Sequence, residues 1–245
     1  MTVSTSDPVN VAAQTVTLGG DVPGSSCVIE KGIVYGTNAL PTTSNNKIIG
    51  GSGSGTFSVD ISGLTVNTLY RYRAYAIVNG TVSYGAVKEF TTFKYDQQIS
   101  FNAIASKTYG DASFDLGDTH TNRGLLITYT AADPSIVSIT GNQATILKSG
   151  TTTITATQAG DQNNNPATPV SRVLTVAKAV ITVTADVKTK VYGTADPALT
   201  YKVTGMVNND AATVVTGTLK RATGENVGTY AISNNDLAAS NYAIT

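Results

Sequence analysis

Apolar residues in this chain alternate with polar ones at period two in short runs, and Gly, Asn, Asp or Pro closes each run within about ten residues. That spacing suits short half-buried strands and leaves no stretch for an amphipathic helix, so it predicts an all-β fold. In Thr56-Phe57-Ser58-Val59-Asp60-Ile61 the side chains of Phe57, Val59 and Ile61 fall on one face, and Ser58 and Asp60 on the other. The alternation recurs at Ile99 and Phe101, through Thr153-Ile154-Thr155-Ala156-Thr157, and at Ile181, Val183 and Ala185. Thr, Val, Gly, Asn and Ser, residues of strands and turns, stand where helical proteins carry Glu, Lys and Leu.

The 245 residues leave room for one large domain or for two to three small ones, so the pattern must decide. Strands end where a new pattern begins at two places. Lys88-Glu89-Phe90-Thr91-Thr92-Phe93 runs into Gln97-Gln98-Ile99-Ser100-Phe101, and Arg172-Val173-Leu174-Thr175-Val176 runs into Lys178-Ala179-Val180-Ile181. The expected division is therefore 1–94, 95–177 and 178–245, three β-sandwiches end to end with junctions short enough to make a semi-rigid rod. Gly50-Gly51-Ser52-Gly53-Ser54-Gly55 reads as a flexible hairpin or crossover loop inside the first segment. An internal echo supports the later boundary: Lys107-Thr108-Tyr109-Gly110-Asp111 and Lys190-Val191-Tyr192-Gly193-Thr194 each follow the first strand of their segment.

Lys plus Arg and Asp plus Glu are 16 each and neither sign forms a block, which argues against nucleic acid and anionic membranes as partners. No apolar run reaches the length of a membrane span, and the first residues lack the basic and apolar regions of a signal peptide. With Cys27 as the one cysteine, no intrachain disulfide and no thiolate metal site is expected.

Residues that carry chemistry elsewhere have plainer readings in this pattern. His120, the one histidine, lies in the polar loop Asp118-Thr119-His120-Thr121-Asn122, and no Gly-x-Ser-x-Gly elbow accompanies it. Cys27, in Ser25-Ser26-Cys27-Val28-Ile29, has no His or Lys neighbour to activate it and reads as a small, partly buried hydrophobe. Asp161-Gln162-Asn163-Asn164-Asn165-Pro166, Asn208-Asn209-Asp210 and Asn234-Asn235-Asp236 offer too few carboxylates for calcium and suit turns. Tyr70 and Tyr72 share a face that alternation assigns to the core, with Arg71, Arg73 and Tyr75 on the opposite, solvated face. The glycines of 50–55 have no lysine at the phosphate-loop position and no following helix. No catalytic, cofactor-binding or metal-binding residue is expected, and no cofactor.

Gly63-Leu64-Thr65-Val66-Asn67-Thr68-Leu69-Tyr70-Arg71-Tyr72-Arg73-Ala74 resembles the signature of fibronectin type III domains, with Val66 in place of the usual Pro. The resemblance implies that Tyr70 forms a tyrosine corner, its hydroxyl bonded back to the chain. Residues 97–176 resemble a bacterial Ig-like repeat through Lys107-Thr108-Tyr109-Gly110-Asp111, Asp133-Pro134-Ser135-Ile136-Val137 and Gly150-Thr151-Thr152-Thr153-Ile154-Thr155-Ala156. Gly150 there suits positive φ, and Ile154 should point inward.

From Lys178 onward the chain is similar to the MBG (YDG-type) repeats of bacterial adhesins, through Val191-Tyr192-Gly193-Thr194-Ala195-Asp196-Pro197, Gly217-Thr218-Leu219 and Gly224-Glu225-Asn226-Val227-Gly228-Thr229-Tyr230. In that family a further strand follows Asn241-Tyr242-Ala243-Ile244-Thr245, so the last sandwich is expected to lack its final strand. Together the resemblances imply a non-enzymatic stalk segment of a secreted or surface-anchored bacterial adhesin, spacing a distal module from the cell. Its expected partners are neighbouring domains of the same protein. The alternatives are a module that binds extracellular glycan or protein, and an accessory region of a secreted hydrolase.

Overall fold

A computed structural model of the chain describes residues 1–24 and 27–245, and compactness divides it into two units. The first comprises residues 1–97 with 159–166, and the second 98–158 with 167–245. The boundary read between 177 and 178 falls inside the second unit.

In the first unit, β1 (Ser4–Thr5), β2 (Val16–Val22) and β5 (Gly55–Ile61) form one sheet in the order β1-β2-β5. The other sheet contains β3 (Val28–Gly36), β4 (Asn46–Gly51), β6 (Leu69–Val78), β7 (Thr81–Tyr84) and β8 (Lys88–Thr91). Its order is β4-β3-β6, with β7 and β8 sharing the remaining edge of β6. Val16, Leu18 and Val22 from one sheet meet Ile33, Tyr72 and Ala74 from the other, all at 2% exposure or less, so the two apolar faces close on each other and exclude water.

Strands β4 and β5 extend into Gly50–Gly55, leaving Ser52, Gly53 and Ser54 as the crossover between sheets. The buried Lys31 ammonium pins that crossover by donating to the carbonyls of Ser54 (3.1 Å) and Gly55 (3.0 Å). A loop that composition alone reads as flexible is thus tied at its far end, and Gly53 N–H donates to Val28 O at 2.9 Å at its centre. Residues 159–166 join this unit through main-chain bonds: Tyr95 N–H donates to Asn163 O at 2.9 Å, and Asn165 N–H to Tyr95 O at 2.8 Å.

The second unit holds β9 (Lys107–Thr108), β10 (Phe114–Asp115), β11 (Thr128–Ala131), β12 (Val137–Thr140), β13 (Gln143–Ile146), β14 (Gly150–Thr157) and β15 (Val170–Ala177). Strands β16 (Ala179–Ala185), β17 (Tyr201–Thr204), β18 (Lys220–Arg221), β19 (Ile232–Ser233) and β20 (Tyr242–Ile244) follow. Sheets β10-β13-β12 and β11-β14-β15-β9 belong to the second segment, and β17-β16-β20 and β18-β19 to the third. Among the described residues there is no α-helix, only a 3₁₀ turn at Ala212–Val214.

Ile154 and Ala156 on β14 are fully buried, as alternation requires, and Gly150 adopts φ of 149°. Ile99 and Phe101 also point inward, with Phe101 buried, but they form no ladder strand. One cluster of buried side chains runs from Phe101, Tyr129 and Leu174 through Ile181 and Val183 to Tyr242, so the second and third segments close a common core.

Candidate functional site

Within the second unit, the Asn208-Asn209-Asp210 turn makes a polar node where the two segments meet. Asn208 and Asn209 both sit in the left-handed region, at φ 54° and 57°, which asparagine tolerates better than most residues. Asp210 then faces two tyrosines from different segments. Tyr242 Oη donates to Asp210 Oδ2 at 2.6 Å and Tyr109 Oη donates to the same oxygen at 3.0 Å. The two rings meet edge to face, centroids 5.5 Å apart at 87°. Val207 N–H donates to Tyr242 Oη at 3.2 Å. Both rings are buried, and burial first, then the bond to Asp210, pushes the Tyr242 hydroxyl up to about 12. At neutral pH it therefore keeps its proton and remains a donor.

The chain around Tyr109 is shaped for this contact. Asp111 N–H donates to Thr108 O at 3.0 Å and closes a turn in which Gly110 takes φ of +97°. A Cβ at Gly110 would lie 2.6 Å from Val207 Cγ2, so only glycine lets the turn lie flat against Val207. Further along, Ser149 N–H donates to Asn241 Oδ1 at 3.1 Å, and Lys178 Nζ to Ala239 O at 3.3 Å. The Ser149–Asn241 bond crosses between the second and third segments and the Lys178–Ala239 bond ties the start of the third to its own end, so directional groups flank the apolar contact that joins them.

The third segment also carries a cleft of about 980 Å³, lined by Lys190, Tyr192, Asp196, Arg221, Glu225 and Tyr230 among others. Lys190 bridges Asp196 (2.5 Å) and Glu225 (3.0 Å), and Arg221 bridges the same two carboxylates at 2.9 Å each. The Lys190 and Arg221 side chains hold both carboxyl groups below their ordinary range. The Arg221 guanidinium also lies 4.8 Å from the centre of the Tyr230 ring. Every charge in this square has an opposite neighbour.

The residues singled out in the sequence are dispersed. His120 is exposed, with Nδ1 2.8 Å from Thr119 Oγ1. Cys27 is exposed rather than partly buried, because it lies in the turn before β3 and Val28 is the first side chain of that strand to enter the core. Ser25 and Ser26 lie outside the described residues. Asp161 Oδ1 accepts from Asn163 N–H (2.8 Å), Asn164 N–H (2.7 Å) and the Asn164 side-chain amide (2.8 Å), the arrangement of a turn closed by its own carboxylate. These donors hold the Asp161 carboxyl below its ordinary range. Among the described residues, no three His, Cys, Asp or Glu side chains gather as a metal site would need.

Tyr70 Oη accepts Thr65 N–H at 3.0 Å, so the tyrosine corner is present. Tyr75 departs from the expected solvated face, since it is fully buried. Its ring lies across Gly32, its hydroxyl donates to Glu30 at 2.7 Å, and the Lys47 ammonium stands 5.8 Å from the ring. Arg73 is likewise half-buried, 3.7 Å from the Tyr84 ring and donating to Pro41 O at 2.6 Å. Tyr75 therefore offers no open ring for a sugar. The node and the charged cleft were not legible as sites in the sequence, though the two Tyr-Gly echoes and the Asn-Asn-Asp turn mark half of the node.

The folded units define an all-β protein built from sandwich modules in series. Residues 181–245 match the MBG domain (YGX type), in keeping with Tyr192-Gly193-Thr194, where glycine directly follows tyrosine and the expected YDG type would have an aspartate between them. No curated protein matches the chain.

Among solved structures, the FN1-FN3 domains of chicken CNTN1 align over 98% of this chain and 88% of theirs, at 10% identity and a TM-score of 0.32. The fibronectin type III domain of the human KIAA0970 protein aligns over 37% of this chain and 72% of its own, at 13% identity and 0.29. The sensor domain of the anti-sigma factor RsgI4 of Pseudobacteroides cellulosolvens aligns over 37% and 92%, at 16% and 0.29. Scores this low leave the fold to be argued from its own sheets.

Proposed function

We propose that this chain is a non-catalytic spacer segment of a secreted or surface-anchored bacterial adhesin, holding a distal module away from the cell. In this reading 1–94, 95–177 and 178–245 are three modules. The observation that carries it is the node of Tyr109, Asp210 and Tyr242 over a shared core, which joins two modules through buried and directional contacts. A spacer must transmit load without bending at each joint, and short junctions with side-chain bonds across them serve that end. The motif resemblances favour an adhesin as the parent protein, and the MBG match of residues 181–245 supports a structural repeat region.

Pulling the whole chain in a single-molecule instrument tests the proposal. Residues 98–245 should yield in one event, and Asp210→Ala should split it into two at lower force. Separate low-force events from residues 98–177 and 178–245 in the unaltered chain would overturn the spacer reading.

A second reading rests on the cleft of the third segment, whose exposed Tyr192 and stacked Tyr230 present rings beside hydrogen-bonding charges suited to a glycan or peptide. Saturable binding on a glycan array, lost in Tyr230→Ala, would support that reading over the spacer.

A further inference from the structure

The turn that builds the node has a counterpart in the third segment. Thr194 N–H donates to Val191 O at 3.1 Å, as Asp111 N–H does to Thr108 O at 3.0 Å. Gly193 takes φ of +82° where Gly110 takes +97°. The register continues beyond the turn: Leu116 stands seven residues after Tyr109 (116 − 109) and Leu199 seven after Tyr192 (199 − 192). The surroundings differ completely, however. Tyr109 is 7% exposed against Val207, Asp210 and Tyr242, whereas Tyr192 is 70% and its neighbour Val191 74% exposed.

Position within each module gives the exposure a meaning. Strand β9 pairs in parallel with the end of β15, at Val176 and Ala177, so the Tyr109 turn is presented where the next segment begins at Ala179. Equivalent placement would present the Tyr192 turn to whatever follows the third segment. The Val207 and Asp210 of this chain are already engaged by Gly110 and Tyr109, so an occupant must bring its own set.

We propose that the Val191-Tyr192-Gly193 surface is a docking site for a further module of the kind formed by residues 179–245, its Val207 equivalent seated on Gly193 and its Asp210 equivalent accepting from Tyr192 Oη. This rests on the reading of Tyr109 as an intermodule contact. The argument is continuity with an interface already described: one turn geometry and one Lys-x-Tyr-Gly sequence, filled in one segment and open in the other. The same step, repeated, would let modules add along the chain with a fixed angle at each joint.

The test extends the whole chain after Thr245 with a second copy of residues 170–245, which carries a copy of β15 and a new Val207-Asp210 set. Amide hydrogen exchange at 191–194 should slow about tenfold or more relative to the unextended chain. Tyr192→Ala, or Asp210→Ala in the added copy alone, should restore the original rates. Unchanged exchange on extension overturns the proposal. Protection that survives both substitutions also overturns it, because it would come from the added strand alone. Asp210→Ala in the unextended chain tests the parent reading separately: faster exchange at 109–111 there, with no protection at 191–194 on extension, sinks the docking site and leaves the node standing.

Discussion

At the scale of single residues, tyrosine does much of the joining in this chain, and how readable each one is depends on how far away its partner lies. Tyr70 bonds an amide five residues back, so its corner follows from a local motif. Tyr70→Phe keeps the ring stacked 5.6 Å from Phe90 and leaves Thr65 N–H without that acceptor. It should cost about 1 kcal/mol, measured as a lower denaturation midpoint of the first unit. Tyr75 escaped the pattern because alternation tells which face a side chain takes, and here loop residues near Pro41 and the Glu30–Lys47 pair cover the second face too. Tyr109 and Tyr242 reach an aspartate 101 and 32 residues away, a distance over which sequence order carries no information. For Tyr242 the folded value is raised to about 12 from 10.0, so its contribution is complete below pH 10 and is lost as pH rises from there through about 12. Alkaline titration of exchange at 207–210 should show opening in that window, and Tyr242→Phe should remove the part due to this hydroxyl. Gly110→Ala adds a Cβ both at positive φ and against Val207, for a loss of about 1–3 kcal/mol. Combining it with Val207→Ala should recover the steric part and leave the backbone part, as equilibrium unfolding would show.

At the scale of elements, strands with one wet face were legible and strands with few residues were not. β5, with Phe57, Val59 and Ile61 inward, and β16, with Ile181 and Val183 inward, follow directly from period two. β18 and β19 have two residues each, too few to show any period, and their hairpin is flanked by ion pairs instead of large buried side chains. That difference predicts different responses to acid. The carboxyl groups of Asp196 and Glu225 are held below their ordinary 3.8 and 4.5, so their contribution is present above those values and is lost as pH falls through the lowered ones. Amide signals of 220–225 and 230–233 should therefore shift on acidification below about pH 4, while those of β14 stay in place. High salt at neutral pH should move the same hairpin in the same direction, because exposed charges are screened within about 8–10 Å. A β14 that moves together with the hairpin would show that the charged square does not stabilise it locally.

For the molecule as a whole, apolar burial makes the second and third segments one cooperative unit. A change of strand pattern marks the break at Lys178 in the sequence but carries nothing about what the strands on either side bury. In the fold, Leu174 on β15 and Ile181 on β16 are both fully enclosed and belong to one continuous cluster. Side chains that share a core lose their neighbours together, so a cavity on one side of Lys178 should be felt on the other. Ile181→Ala should cost about 2–4 kcal/mol through lost burial and the cavity left behind. Because the two segments share that core, this substitution and Leu174→Ala should each accelerate exchange in β14 and in β20 by similar factors. Two independent modules would give a different pattern: Ile181→Ala would loosen β16, β17 and β20 while β14 kept its original protection. The shared cluster predicts the first outcome, with the joint at Lys178 inside one cooperative body, and the second outcome would overturn it.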